Sequence, residues 1–151
     1  MTSPDSAELF EAGQVQVTNR VLVTIGRRTI DAVPDSGASL SFISEALANK
    51  LTMGEVQAQF KDSCRSARLA DGRVLRSIKV LTLALRVGPV VANHDFGILP
   101  GLPCDALLGY DLMACHGIVV DPRSHCLRFT DFPGAVLEYA IPEGSTSALA
   151  G

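Results

Sequence analysis

The 151-residue chain has no block of lysine and arginine and carries a net charge of −3, which argues against nucleic acid as its main partner. No apolar run approaches the roughly 20 residues that a helix needs to cross a bilayer. The opening stretch, MTSPDSAELFEAG, is polar and acidic and does not read as a secretory signal, so a cytoplasmic location is expected, with no membrane partner. There are only four cysteines, Cys64, Cys104, Cys115 and Cys126, and no CxxC pair. His116 and His125 stand directly beside Cys115 and Cys126, a spacing unlike that of zinc ligands, so reduced thiols and no metal are expected. Neither GxxxxGK[ST] nor GxGxxG occurs, which removes the phosphate-cradling loops, and no GxSxG surrounds Ser39, which removes the serine-hydrolase elbow. No cofactor is implied.

What remains is a globular composition: 47% hydrophobic and 19% charged residues, in a chain long enough for one domain with its own core. Residues 1–13 are expected to form a flexible segment, residues 14–131 the folded domain, and residues 132–151 an edge strand and a flexible tail. The reading is mostly β. VQVT and RVLVTIG are rich in β-branched residues, and TIDAVPD leads out of a short turn. SEALANKL is the first helical segment: Ser44 is a natural N-cap, Glu45 lies in the first turn, and Leu47 and Leu51 share a face. EVQAQF follows as a further extended piece. Two strand-like runs around Ala70, Asp71 and Gly72 predict a hairpin. Its arms carry Arg65, Arg68, Arg73, Arg76 and Lys79, so it should project into water and pack only in part. HDFGIL is another strand, CDALLGYDLMACHG a strand running into a short helix, and IVVD with CLRFT a hairpin across PRSH. VLEYA adds one edge strand. TIDAVPDSGASLSFISEALANKL and FGILPGLPCDALLGYDLMACHG echo one another as strand, glycine-containing turn and helix, which would place two turns near a pseudo-symmetric centre.

The stretch VPDSGASLSFIS raises the functional question. Asp, Ser and Gly are ordinary turn formers, and an Asp side chain readily bonds its own backbone two residues on. This turn, however, has apolar walls on both sides: Ile30, Ala32 and Val33 before it, and Ala38, Leu40, Phe42 and Ile43 after it. Gly37 permits close backbone approach, and a second apolar-apolar-Gly element, Leu107, Leu108 and Gly109, follows with a helix behind it. His94, His116 and His125 read as turn or surface residues, Asp111 as a cap or first-turn acid, and Phe96 and Phe129 as core.

Taken in order, Asp35-Ser36-Gly37-Ala38, a hairpin with a glycine at its tip, and Leu107-Leu108-Gly109-Tyr110-Asp111 resemble the retropepsin-like aspartic proteases. The flavour is that of gypsy-type LTR retrotransposons and host genes derived from them, and the resemblance runs over roughly residues 15–129. It implies a small closed β-barrel-like fold with one or two short helices, working as a symmetric homodimer, in the cytoplasm or within retroelement-derived particles. Asp35 would be catalytic. The Ser36 hydroxyl would bond across the dimer, Gly37 would turn a carbonyl toward substrate, and Ala38 would complete the turn. Leu69, Ala70, Asp71, Gly72 and Arg73 would close over an extended polypeptide as a flap, with Leu107, Leu108 and Gly109 as the structural glycine motif. Since the chain holds one such Asp-Ser-Gly turn, the second carboxyl must come from another copy. Two facing carboxyls share one proton; the ionised member activates a water and the protonated member donates to the peptide carbonyl. The chain departs from the pattern at Pro34, where a branched apolar residue is usual. It departs again at Ser39 and Leu40, where viral relatives often carry acids, and at Tyr110, which replaces a basic residue. These departures motivate an alternative, a catalytically weak or inactive domesticated domain that dimerises or binds peptide. A third reading, Asp-Ser-Gly as a phosphorylation-dependent degradation signal, needs an exposed segment and is opposed by the apolar flanks.

Overall fold

The computed structural model describes residues 19–53, 59–68 and 74–140. Strand β1 (Val21–Ile25) turns its alternate residues Val21, Val23 and Ile25 inward, the period-2 pattern of a half-buried strand. Gly26 and Arg27 then reverse the chain into β2 (Arg28–Pro34), with Gly26 at φ 61°. β3 (Phe42–Ser44) runs straight into helix α1 (Glu45–Thr52). Ser44 caps that helix by accepting the Leu47 amide at 3.0 Å, and Leu47, Ala48 and Leu51 are its buried face. β4 (Gln59–Arg68), β5 (Val74–Val87) and β6 (Val90–Leu99) follow as an antiparallel series. β7 (Ala106–Leu108) leads into α2 (Tyr110–His116), and β8 (Ile118–Asp121), β9 (Cys126–Phe129) and β10 (Val136–Glu138) form a separate three-stranded sheet. α2 ends at Gly117, whose φ of 65° is left-handed and whose missing Cβ leaves room for the Thr130 side chain.

The larger sheet has the order β1-β2-β7-β3-β6-β5-β4, and β1 also pairs with β5 through Thr24 and Arg86. Six strands therefore close on themselves, and β4 hangs outside on β5. The result is a mostly β, closed six-strand barrel with two short helices. β4 is exposed along most of its length, with only Arg65 and Ala67 half-buried, as a hairpin that packs in part would be. Phe96, Ile43, Leu81, Leu108, Leu112 and Leu127 fill the main core, and Phe129 joins them there.

The internal echo has a counterpart in the pairing. β2 runs parallel to β7, β3 runs parallel to β6, and β3 meets β7 antiparallel. Exchanging β1 with β5, β2 with β6 and β3 with β7 maps the barrel order onto itself, a pseudo-two-fold relation between the two strand-turn-strand-helix units.

The four thiols are unpaired: Cys64 and Cys115 are exposed, Cys104 and Cys126 buried, and burial pushes the Cys104 thiol up to about 12. Among the described residues no helix is long and apolar enough to cross a membrane. VQVT at residues 15–18, the first four residues of EVQAQF, the hairpin tip at residues 69–73, the N-terminal segment and the C-terminal tail from residue 141 lie outside the described residues.

Candidate active site

Two neighbouring parallel strands build the site. β2 and β7 pair as Ala32 with Ala106, Val33 with Leu107 and Pro34 with Leu108. The ladder runs one residue past the strand, where the Asp35 amide donates to the Leu108 carbonyl at 2.9 Å. Successive amides of a strand face opposite sides, so the donor that Pro34 lacks would lie on the β1 side, and the contact that seats Asp35 on β7 is untouched.

After Asp35 the chain folds back at once. The Ala38 amide donates to the Asp35 carbonyl at 3.0 Å, closing a four-residue turn, and the Gly37 amide donates to Asp35 Oδ1 at 2.9 Å. This is the ordinary Asx turn that the residue types predict. Two further features distinguish it from a surface turn: Asp35 Oδ2 is buried, and the turn rests on an apolar cluster containing Val33, Ala38, Phe42 and Leu107. Ser36 and Gly37 are exposed. Ala67 and Leu75, paired near the loop end of the β4–β5 hairpin, pack half-buried against the same cluster, so that end of the hairpin arms leans on the turn.

Leu107, Leu108 and Gly109 are brought directly to the turn. The Tyr110 amide donates to the Ala38 carbonyl at 2.7 Å and the Asp111 amide to the Ser39 carbonyl at 3.3 Å. A Cβ on Gly109 would overlap the Leu40 and Ala38 carbonyls, so close backbone approach requires glycine there. Its φ of −89° and ψ of −178° are accessible to any residue, which makes the requirement steric and not conformational. Tyr110 is 59% exposed beside this contact.

Three participants escaped the sequence reading in whole or part. Ser41, fully buried, accepts the Gly109 amide at 2.8 Å and donates to Asp111 Oδ1 at 2.7 Å. His94 lies 2.8 Å from Asp111 Oδ2 through Nε2. His94 is thus no turn or surface residue: it sits within β6, partly buried, its ring edge-on to Phe96. Asp111 is the expected first-turn acid and also the hub of this contact set. Burial pushes its carboxyl up, but the hydrogen bonds from His94 and Ser41 outweigh that and leave it below the ordinary value of 3.8. The one legible signal was Ser41 itself, a small polar residue between Leu40 and Phe42. His116 ends α2, and His125 lies exposed in the β8–β9 turn at φ 54°.

The geometry is that of a carboxyl held at the end of a barrel strand, seated on a hydrophobic-hydrophobic-glycine shelf and open on the Ser36 side. Among the described residues no group of three or more His, Cys, Asp or Glu is arranged to hold a metal ion. Residues 21–112 match the family described as Aspartyl protease. Among solved structures, the chain is similar to the retroviral protease-like domain of Ddi1 from Leishmania major, with a TM-score of 0.59 and 18% identity over 83% of this chain and 94% of that one. At that identity the likeness speaks for the fold. No curated protein sequence matches. A family match over more than half of the chain, on a barrel of this topology, makes the protein a member of the aspartyl protease family with a retropepsin-like fold.

Proposed function

We propose that the chain is an aspartic endopeptidase whose subunits each contribute Asp35 to a shared pair on a homodimer axis. The observation that carries the reading is the seating of Asp35: its amide on Leu108, one carboxyl oxygen on Gly37, the other buried, in a turn that rests on the apolar cluster of Val33, Ala38, Phe42 and Leu107. A carboxyl held this way and faced by a second one shares a proton with it. The ionised partner takes a proton from a bound water, which attacks the peptide carbonyl, and the protonated partner donates to the carbonyl oxygen. Support for a second copy comes from within the chain. The loop that the pseudo-two-fold relation pairs with the turn is residues 100–105, PGLPCD, which holds no Asp-Ser-Gly triplet. The Asp105 carboxylate is engaged by the Asp31 amide at 3.1 Å. Exposed Ser36 is then free to meet its counterpart across the axis, and residues 69–73 would cover an extended peptide bound as an added strand. Self-processing of a parent polyprotein is a natural use of such an enzyme.

The test is incubation of the purified protein with a diverse peptide library from about pH 4 to about pH 7, the range in which a shared-proton pair is active. The wild type should cleave, and Asp35→Asn should lower kcat at least about a hundredfold without loss of fold. Cleavage that survives Asp35→Asn removes the proposal. Tight peptide binding without turnover would instead identify a binding module.

A further inference from the structure

We propose that Ser41, Asp111 and His94 act as a positioning set that ties the Asp35 turn to the barrel wall. The inference rests on the peptidase reading above and assigns these residues a task within it. They come from three separate places: the residue before β3, the first turn of α2, and the middle of β6. Their contacts form an unbroken path. His94 Nε2 reaches Asp111 Oδ2 at 2.8 Å, and Asp111 Oδ1 accepts the Ser41 hydroxyl at 2.7 Å. Ser41 Oγ accepts the Gly109 amide at 2.8 Å, and Leu108, the residue before Gly109, takes the Asp35 amide at 2.9 Å.

Each end of the path is anchored. His94 pairs with Leu83 across the β5–β6 ladder, and its ring meets Phe96 at 5.5 Å and 76°. At the other end, Gly109 lies against the Ala38 and Leu40 carbonyls, so a shift of Gly109 is a shift of the loop that follows Asp35. The Ser41 carbonyl also accepts the Gly97 amide at 3.0 Å, a second tie from this loop to β6. The side chains of His94 and Asp111 are only 15% and 21% exposed, so water competes poorly for their bond. A charge-assisted contact in such a place is among the stronger polar ties a fold can make. Removing one member leaves a desolvated polar group unpaired, which loosens what it held. Ser41 is fully buried and the other two side chains largely so, which suits a role behind the site and not in contact with substrate. They act through Gly109 and Leu108, and a small displacement of a reacting carboxyl suffices to slow the chemical step while leaving peptide binding alone.

The experiment compares wild type with His94→Leu, His94→Gln and Ser41→Ala. Amide hydrogen exchange at Gly109 and Tyr110 is read relative to Val23 in the barrel, and kcat and KM are read on a peptide that the wild type cleaves. His94→Leu and Ser41→Ala should each raise the relative exchange at Gly109 about tenfold, the size expected for losing one buried hydrogen bond. They should lower kcat by a similar factor with KM held within about twofold. His94→Gln, whose side-chain amide donates from nearly the place of Nε2, should restore both quantities. Equal behaviour of the Leu and Gln variants, or relative exchange at Gly109 unmoved in both His94→Leu and Ser41→Ala, overturns the proposal. If His94→Leu does not fold, Ser41→Ala against wild type decides it. A wild type that cleaves nothing defeats the peptidase reading, and the exchange ratio alone then judges the positioning set.

Discussion

Asp35 places one carboxyl oxygen in a local turn and buries the other, and most of the site's sensitivity follows from the residues that hold it so. Gly109→Ala places a methyl group against the Leu40 and Ala38 carbonyls, which cannot retreat without moving the turn. The expected cost is about 1–3 kcal/mol, read as a lower urea midpoint, with activity falling further than stability. Asp111 predicts a pH dependence. Its carboxyl is held below its ordinary 3.8 in the fold, burial opposing the His94 and Ser41 bonds that win. A group depressed in this way contributes stability that is complete above the unfolded value and is lost as pH falls through the folded one. Asp111→Asn should therefore be less stable than wild type at about pH 6, with the gap shrinking at about pH 3. A gap that stays constant in urea titrations at both pH values contradicts this. At this scale the residue types of the turn were legible, because Asx-turn chemistry is local. The pairing of Ser41 and His94 with Asp111 was not, because Asp111 lies 70 and 17 residues away from them in the chain and no periodicity marks such a pair.

Among the elements, helix α1 was readable almost to its ends: the N-cap Ser44, the first-turn Glu45 and the buried Leu47 and Leu51 stand where the spacing puts them. Ser44→Ala should cost about 1 kcal/mol, since it removes the acceptor of the Leu47 amide. Thermal unfolding measures this, and Ser44→Asp should recover most of the loss. The β8–β9 hairpin and the short edge strand β10 also follow from local alternation and turn residues. β7 is different. Three residues, Ala106, Leu107 and Leu108, are buried in a strand too short to show alternation, and what makes them a strand is parallel pairing with β2 and antiparallel pairing with β3.

At the scale of the molecule, the exchange symmetry of the barrel pairs the Asp35 turn with residues 100–105, and the sequence places Asp-Ser-Gly in only the first of the two. On the proposed dimer, activity per mole should fall on dilution, in step with dissociation seen by sedimentation. Mixing wild type with an equal amount of Asp35→Asn and allowing exchange should leave about one quarter of the enzyme as wild-type dimers, and activity should drop to match. Activity that falls only to half in that mixture would mean that each subunit works alone.

Alternation, capping and turn chemistry act between residues a few positions apart, so composition and spacing alone determined a mostly β chain, the helix after Ser44, the closing hairpin and the Asp35 turn as the place to look. Only the fold decided that Leu108 seats Asp35, that Pro34 turns its missing donor away from that contact, and that His94 stands behind Asp111. Those contacts join strands and loops that are distant along the chain, and barrel closure is what brings them within hydrogen-bond reach.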